Sequence, residues 1–457
     1  MTNAINVTRK FLESKWYPIF IGAVVFLSHV FSLEIIAASI IVLSCASVFL
    51  LCDSTEYVMT PLISFAFLLS VKNTPAYPSY SDFFKKPAPI ITIAVLSLLL
   101  LASAIWFFIR TGNYKRIKIK KEPVFVSLSV FILTFFVSAL FTGEYIKDNL
   151  IFAAAQTAAI FVPFVILHFG IKKDRTRGVL IDKLCYAVLI SVLVVVLELV
   201  YLYITEERIF KDGSVDKHWV MLGWGISNCI GGVLSMGIPF LILGAQRSKH
   251  TVPYFLAAVV AYVSTVMTLS RNAVLIGTVI FAACCITCCF FGKKKREFRL
   301  ITLTLIVIFA VFALIFHEKI LEILDHYVRK GLDDSGRFTI WKESFDAFLG
   351  NVLVGGGFHG FDASYSSVAM FMPELPHNTP LALLGGGGLL MFGSYCVHRF
   401  YTLCPFIKRP TLEKTLLLLA VLTLIGESLL DNFFFNFYPT FAYTAAICVV
   451  LRAEKTE

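Results

Sequence analysis

Charge is scarce in this chain: 15% of its 457 residues are Asp, Glu, Lys or Arg, against 58% that are hydrophobic. Mean hydropathy is +0.81. A soluble domain of this length has no use for so much apolar surface, whereas each bilayer-spanning helix needs about 20 mostly apolar residues. Runs such as "PIITIAVLSLLLLASAIWFFI" from Pro89 and "YAVLISVLVVVLELVYLYI" from Tyr186 supply them. No Walker-type GxxxxGK[ST] and no dinucleotide fingerprint occurs, so ATP-driven work by this chain alone is not indicated. Neither a sequence repeat nor a low-complexity linker is visible. The eleven cysteines fall in predicted spans or on their inner side, which argues against structural disulfides on an outer face. No small-residue cleavage site follows "MTNAINVTRKFLESKW", so the N-terminus reads as an anchor rather than a signal peptide.

What remains is an all-α polytopic integral membrane protein, since in lipid only helices and closed barrels satisfy the backbone. Fourteen candidate spans begin near Trp16, Glu34, Tyr57, Pro89, Pro123, Asn149, Leu180, Trp219, Pro253, Asn272, Leu300, Thr379, Thr415 and Phe433. The third and eighth are the weakest, giving 12–14 helices in a single membrane domain over residues 1–457. With both termini inside, roughly two-thirds of the Lys and Arg fall on the inner side, in clusters such as "RTGNYKRIKIKK", "KKDRTR", "GKKKREFR" and "HRFYTLCPFIKR". This asymmetry accounts for the net charge of +10 without a nucleic-acid partner. "CCITCC" (Cys284, Cys285, Cys288, Cys289) has metal-like spacing. It lies inside an apolar span without His or carboxylate, so packing is the better reading.

The outer side carries one long loop, residues 317–376, and loops of that length tend to carry function. Two interfacial helices are predicted within it, apolar face down. The first carries Ile320, Leu324, Tyr327 and Val328, the second Trp341, Phe345, Phe348 and Leu349. Asp334 or Ser335 caps the second and places Arg337 in its first turn, where guanidinium and helix dipole can hold one phosphate. The alternative is a surface arginine paired with Asp333 or Asp334. Arg271, in "VMTLSRNAVLIG" at the outer interface, either snorkels to headgroups or serves a site. His377 precedes Thr379-Pro380, a good helix start, so its ring stands at the mouth of a span. There it is either merely tolerated or used for proton transfer. Four glycines, Gly385 to Gly388, follow and weaken that helix.

These residues resemble the signature region of the bacterial O-antigen ligase and O-antigen polymerase superfamily over roughly residues 219–392. An Arg with Trp four residues on (Arg337, Trp341), a glycine–aromatic turn (Gly355, Gly356, Gly357, Phe358) and His377-Asn378 ahead of Gly388 occur in the family's order. "LSRNAVLIG" is similar to the family's Ser-Arg-Gly segment, with Asn272 in place of the glycine, and "GWGISN" resembles a segment ending at Asn228. Met391 departs from the ligase-type pattern. The resemblance implies a GT-C-like, inverting, metal-independent glycosyltransferase without cofactor, in the bacterial cytoplasmic (inner) membrane, both termini cytoplasmic. Its donor would be a polyprenyl (undecaprenyl) diphosphate-linked glycan on the extracytoplasmic face. It implies His377, Arg271 and Arg337 as catalytic, and Asn378, Trp341, Asn228, Gly356 and Gly388 as substrate-binding. An early outer loop that in other lipid-linked transferases holds a metal offers only Asp82. A repeat-unit polymerase is favoured over a ligase to lipid A core or protein. A flippase or other transporter of lipid-linked glycans is the rival from another class, though few charges such as Glu198 and Glu427 lie mid-span.

Overall fold

The computed structural model describes residues 2–68, 87–117, 122–211, 214–249, 251–318, 321, 337–359 and 375–453. The first predicted loop helix, the Asp334 or Ser335 cap and Asp82 lie outside them.

The chain is an all-α, multi-pass membrane protein. In order, the helices are α1 (Thr2–Leu12), α2 (Trp16–Phe31), α3 (Glu34–Leu51), α4 (Thr55–Leu68), α5 (Pro87–Arg110), α6 (Pro123–Ala139), α7 (Ile146–Gly170) and α8 (Arg177–Thr205). They continue with α9 (Ser227–Arg247), α10 (Thr251–Met267), α11 (Arg271–Phe291), α12 (Lys295–Ile315), α13 (Arg337–Gly350), α14 (Thr379–Ile407), α15 (Leu412–Leu430) and α16 (Phe437–Ala453). Among the described residues seven helices are long and apolar enough to cross a membrane, and five shorter apolar ones accompany them. Each expected span corresponds to a helix. The eighth starts later than expected, at Ser227, because residues 221–226 form a two-stranded hairpin in which Met221 pairs with Ile226. Within the "HRFYTLCPFIKR" cluster α14 runs on to Ile407 and buries His398 and Arg399. Arg399 lies against the rings of Tyr395, Phe434 and Tyr443, 4.6–4.8 Å from each centroid, so an aromatic box takes the place of solvent.

Helix ends follow local chemistry. Pro123 opens α6, where its missing N–H is not needed. Ser270, Asn378 and Thr411 cap α11, α14 and α15 through side-chain oxygens that accept from the first turn. α9 is central: nearly all its residues from Ile230 to Gln246 are buried, and it packs against α8, α10, α11 and α15. α12 is the reverse, an almost wholly exposed apolar helix leaning on α11.

The two ends of the bundle differ in charge. At one, Arg9 and Arg110 reach Asp53 at 2.9 and 3.0 Å, Arg175 reaches the buried Glu56 at 2.7 Å, and Arg247 reaches Asp182 at 2.6 Å. Arg116 caps the carbonyls of Phe169 and Ile171 at 2.8 Å. Cations here tie down helix C-termini, where they complement the dipole. The opposite end holds His377. The eleven cysteines are free, with Cys284, Cys285 and Cys288 buried in α11.

Candidate functional site

At the His377 end, four helix termini bring polar side chains together. α15 ends at Asp431, whose N–H still donates to the Glu427 carbonyl at 2.8 Å. Its carboxylate accepts from three donors: His377 Nδ1 at 3.1 Å and the Asn432 N–H at 2.7 Å on Oδ1, and Asn228 Nδ2 at 3.1 Å on Oδ2. Asn228, in the first turn of α9, accepts in turn from Ser270 Oγ at 2.9 Å. Ser270 is the cap of α11, and Arg271 is the first residue of that helix. A chain of hydrogen bonds therefore runs His377–Asp431–Asn228–Ser270 and ends beside Arg271.

A carboxylate opposite Nδ1 fixes the neutral imidazole with its proton on Nδ1 and its lone pair on Nε2. The ring is one-third exposed, so Nε2 is reachable. His377 is also held at φ +48°, a left-handed conformation that costs a non-glycine residue about 1 kcal/mol or more. The segment is tied on both sides. The His377 N–H donates to the Leu375 carbonyl at 2.8 Å, and the Asn378 N–H donates to Asn432 Oδ1 at 3.2 Å. Asn378 further donates through Nδ2 to the Leu429 carbonyl at 2.8 Å and caps α14 by accepting from the Leu381 N–H at 2.9 Å. Burial pushes the Asp431 carboxyl up, but hydrogen bonding and charge from His377, with the Asn432 and Asn228 donors, hold it net below its ordinary value.

α13 forms one wall. Trp341 Nε1 donates to the Pro376 carbonyl at 2.8 Å, and Ser344 Oγ to the Leu381 carbonyl at 3.1 Å. Ser344 is buried, whereas Phe345 and Leu349 are exposed. The packed face thus runs through Arg337, Trp341, Ser344 and Phe348; of the predicted apolar stripe it keeps Trp341 and Phe348 but not Phe345 and Leu349. A side chain that bonds across to α14 outweighs apolar periodicity here. Arg337, half-buried, sits one turn ahead of Trp341 on this face.

The glycines form a second feature, deeper in the bundle. At 1.5 Å per residue, Gly385 lies about 12 Å down α14 from His377. Helical geometry breaks at Gly388, with φ +62° and ψ −164°. Into this break docks the 352–357 segment. Gly356 and Gly357 N–H groups donate to the Gly385 and Gly386 carbonyls at 2.8 and 3.1 Å, and Leu389 and Leu390 N–H groups donate to the Val352 and Leu353 carbonyls at 2.9 and 3.1 Å. Ser138 Oγ on α6 lies 2.6 Å from both the Val354 and Gly386 carbonyl oxygens. Asn149 clamps the next turn, accepting from the Phe358 and His359 N–H groups at 2.6 and 3.1 Å. Phe358 fills the space beside Phe135, Phe152 and Phe435. Gly356 and Gly388 are therefore engaged with the chain's own backbone, apart from the His377 network. A cavity of about 360 Å³ lies apart again, between α6 and α14, lined by Pro123, Ser127, Ser394, Val397 and Tyr401 among others.

Residues 254–396 match the O-antigen ligase family model. The match bears out the resemblance to the O-antigen ligase and polymerase superfamily and supports a membrane glycan ligase or polymerase. No curated protein matches the chain. The matched segment, about a third of the chain, contains Ser270, Arg271, Arg337, Trp341, Gly356, His377, Asn378 and Gly388. Asn228 and Asp431 fall outside it on either side, yet they join its two parts. Sequence reasoning missed Asp431. The signal was present as an Asp-Asn pair closing an apolar span on the same side as His377, in "GESLLDNFFF".

Proposed function

We propose that this chain is an extracytoplasmic glycosyltransferase that moves a glycan from a polyprenyl (undecaprenyl) diphosphate carrier to an acceptor hydroxyl. The observation that carries this reading is the hydrogen-bonded chain His377–Asp431–Asn228–Ser270, which sets a reachable imidazole nitrogen and the Arg271 helix start in one network. In the proposed step the acceptor oxygen attacks the anomeric carbon and its proton passes to His377 Nε2, general-base work of about 10²–10⁴-fold. Asp431 balances the imidazolium that results. The bond from the anomeric carbon to the diphosphate oxygen breaks, and negative charge grows on the leaving lipid diphosphate. Arg271 and Arg337 neutralise that charge, each preorganised by a helix start. Direct displacement inverts the anomeric centre, and this step draws on neither metal nor cofactor. Asn228, Asn378 and Trp341 position these groups and the substrate around them, while Gly356 and Gly388 shape the wall beneath.

The charge difference between the bundle ends supports an inner (cytoplasmic) membrane protein with both termini cytoplasmic and the His377 end outside. Gathering of the polar groups at one end favours an enzyme over a flippase. Within the enzyme class we propose repeat-unit polymerisation, with a glycan as acceptor. The family description favours a second reading, ligation, for which the acceptor would be lipid A core or a protein.

The test incubates the purified chain with polyprenyl-diphosphate oligosaccharide, alone and with lipid A core. A ladder from donor alone establishes the polymerase, and product only with the second acceptor establishes the ligase. Full activity in all of Arg271→Ala, Arg337→Ala and His377→Ala overturns the site.

A further inference from the structure

One helical turn below Asp431, α15 buries a second carboxyl. Glu427 is 1% exposed, and Oε2 accepts from Asn272 Nδ2 at 2.7 Å. Asn272 is itself 9% exposed and follows Arg271 directly. Two atoms of this pair have no hydrogen-bond partner among the described residues: Glu427 Oε1 and Asn272 Oδ1, both buried. As a carboxylate, Glu427 would hold a full charge in the bundle on one amide donor, with an amide oxygen beside it as a second bare acceptor. Burying an ion so thinly solvated is strongly unfavourable. Rotating the Asn272 amide does not help, because it exchanges one orphan for another.

A single proton resolves both orphans. Placed on Oε1, it donates to Asn272 Oδ1 while Nδ2 continues to donate to Oε2, closing a two-bond ring between acid and amide. We propose that Glu427 is a neutral carboxylic acid paired in this way with Asn272, and that it acts as a positioning residue for the site above it. The pair joins α15, one turn beneath Asp431, to α11 at the residue that follows Arg271. Its neutrality leaves Asp431 to carry the negative charge facing His377 and spares the field of Arg271 from a second carboxylate. Other titratable or charged groups at this end of the elements packed against α15 are Cys229, Arg271, His377 and Tyr438. This inference rests on the proposed lipid-diphosphate donor only for its consequence, not for the proton.

The experiment uses the full chain in lipid nanodiscs. Infrared difference spectra between wild type and Glu427→Gln at neutral pH should show a protonated-carboxyl C=O band, shifted on deuteration and absent from the variant, while Asp431→Asn leaves it in place. Absence of that band from the wild type, or its survival in Glu427→Gln, overturns the proton assignment, since no donor is present. Binding of undecaprenyl diphosphate without glycan is then compared. Glu427→Gln, which keeps shape and neutrality, should match wild type within twofold, and Glu427→Ala should weaken binding as Asn272 loses its anchor. If Glu427 were ionised, Glu427→Gln would remove a negative charge from beneath the site and tighten binding of the anion severalfold, and that result overturns the proposal. Failure of the diphosphate to bind the wild type overturns the functional reading instead and leaves the infrared result standing.

Discussion

Gly388→Ala should break the fold of the glycine dock. At φ +62° and ψ −164° the residue occupies a region essentially restricted to glycine, and holding alanine there costs about 1–3 kcal/mol. An added Cβ would stand 2.5 Å from the Leu353 carbonyl carbon and oxygen and 2.6 Å from the Val354 nitrogen. These are backbone atoms, so no rotamer change relieves the contact. The 352–354 segment has to move away by nearly 1 Å, which stretches the bonds from the Leu389 and Leu390 N–H groups to the Val352 and Leu353 carbonyls. Leaving even one such group unsatisfied away from water adds about 1–3 kcal/mol. Strain and one broken bond together come to roughly 2–6 kcal/mol. The assay is a thermal melt of the purified chain in detergent, with Gly393→Ala as control. Gly393 is on the same helix with nothing within 4 Å of its would-be Cβ, so its melt should match wild type or lie slightly above it. A Gly388→Ala protein that melts with wild type and Gly393→Ala would refute the docking argument.

Four further outcomes are expected. Asp431→Asn removes the anion that orients His377 and should lower turnover by about 10²-fold or more. The variant should stay folded, and undiminished turnover would remove Asp431 from the site. The same carboxyl is held below its ordinary value in the fold. Its stabilisation is therefore fully present above about pH 4 and is lost as pH falls through the lower folded value. Melts of wild type and Asp431→Asn should thus converge only in acid; convergence on raising the pH would contradict the sign. Asn149→Ala strips the Phe358 and His359 N–H groups of their acceptor and should cost about 2–4 kcal/mol in the melt. Gly356→Ala, whose Cβ would meet only the Gly385 carbonyl at 3.9 Å, should by contrast melt like wild type.

Hydropathy and charge placement were enough to locate the spans and set the basic end apart from the His377 end. Those properties are local and additive: a window of apolar residues partitions into lipid whatever its neighbours do. His377, Arg271 and Arg337 stood out because each sits at a predicted helix start where its chemistry is unusual. Asp431 did not, since an acidic residue closing an apolar span has no meaning until its partners are known. Those partners lie 54 residues away at His377 and 203 at Asn228, and only packing of α9, α11, α14 and α15 brings them within 3.1 Å. The glycine run shows the same division. The sequence alone says that Gly385 to Gly388 weaken a helix. That the 352–357 backbone occupies the break, and that Ser344 rather than Phe345 faces inward, depends on hydrogen bonds between distant segments, which no local pattern encodes.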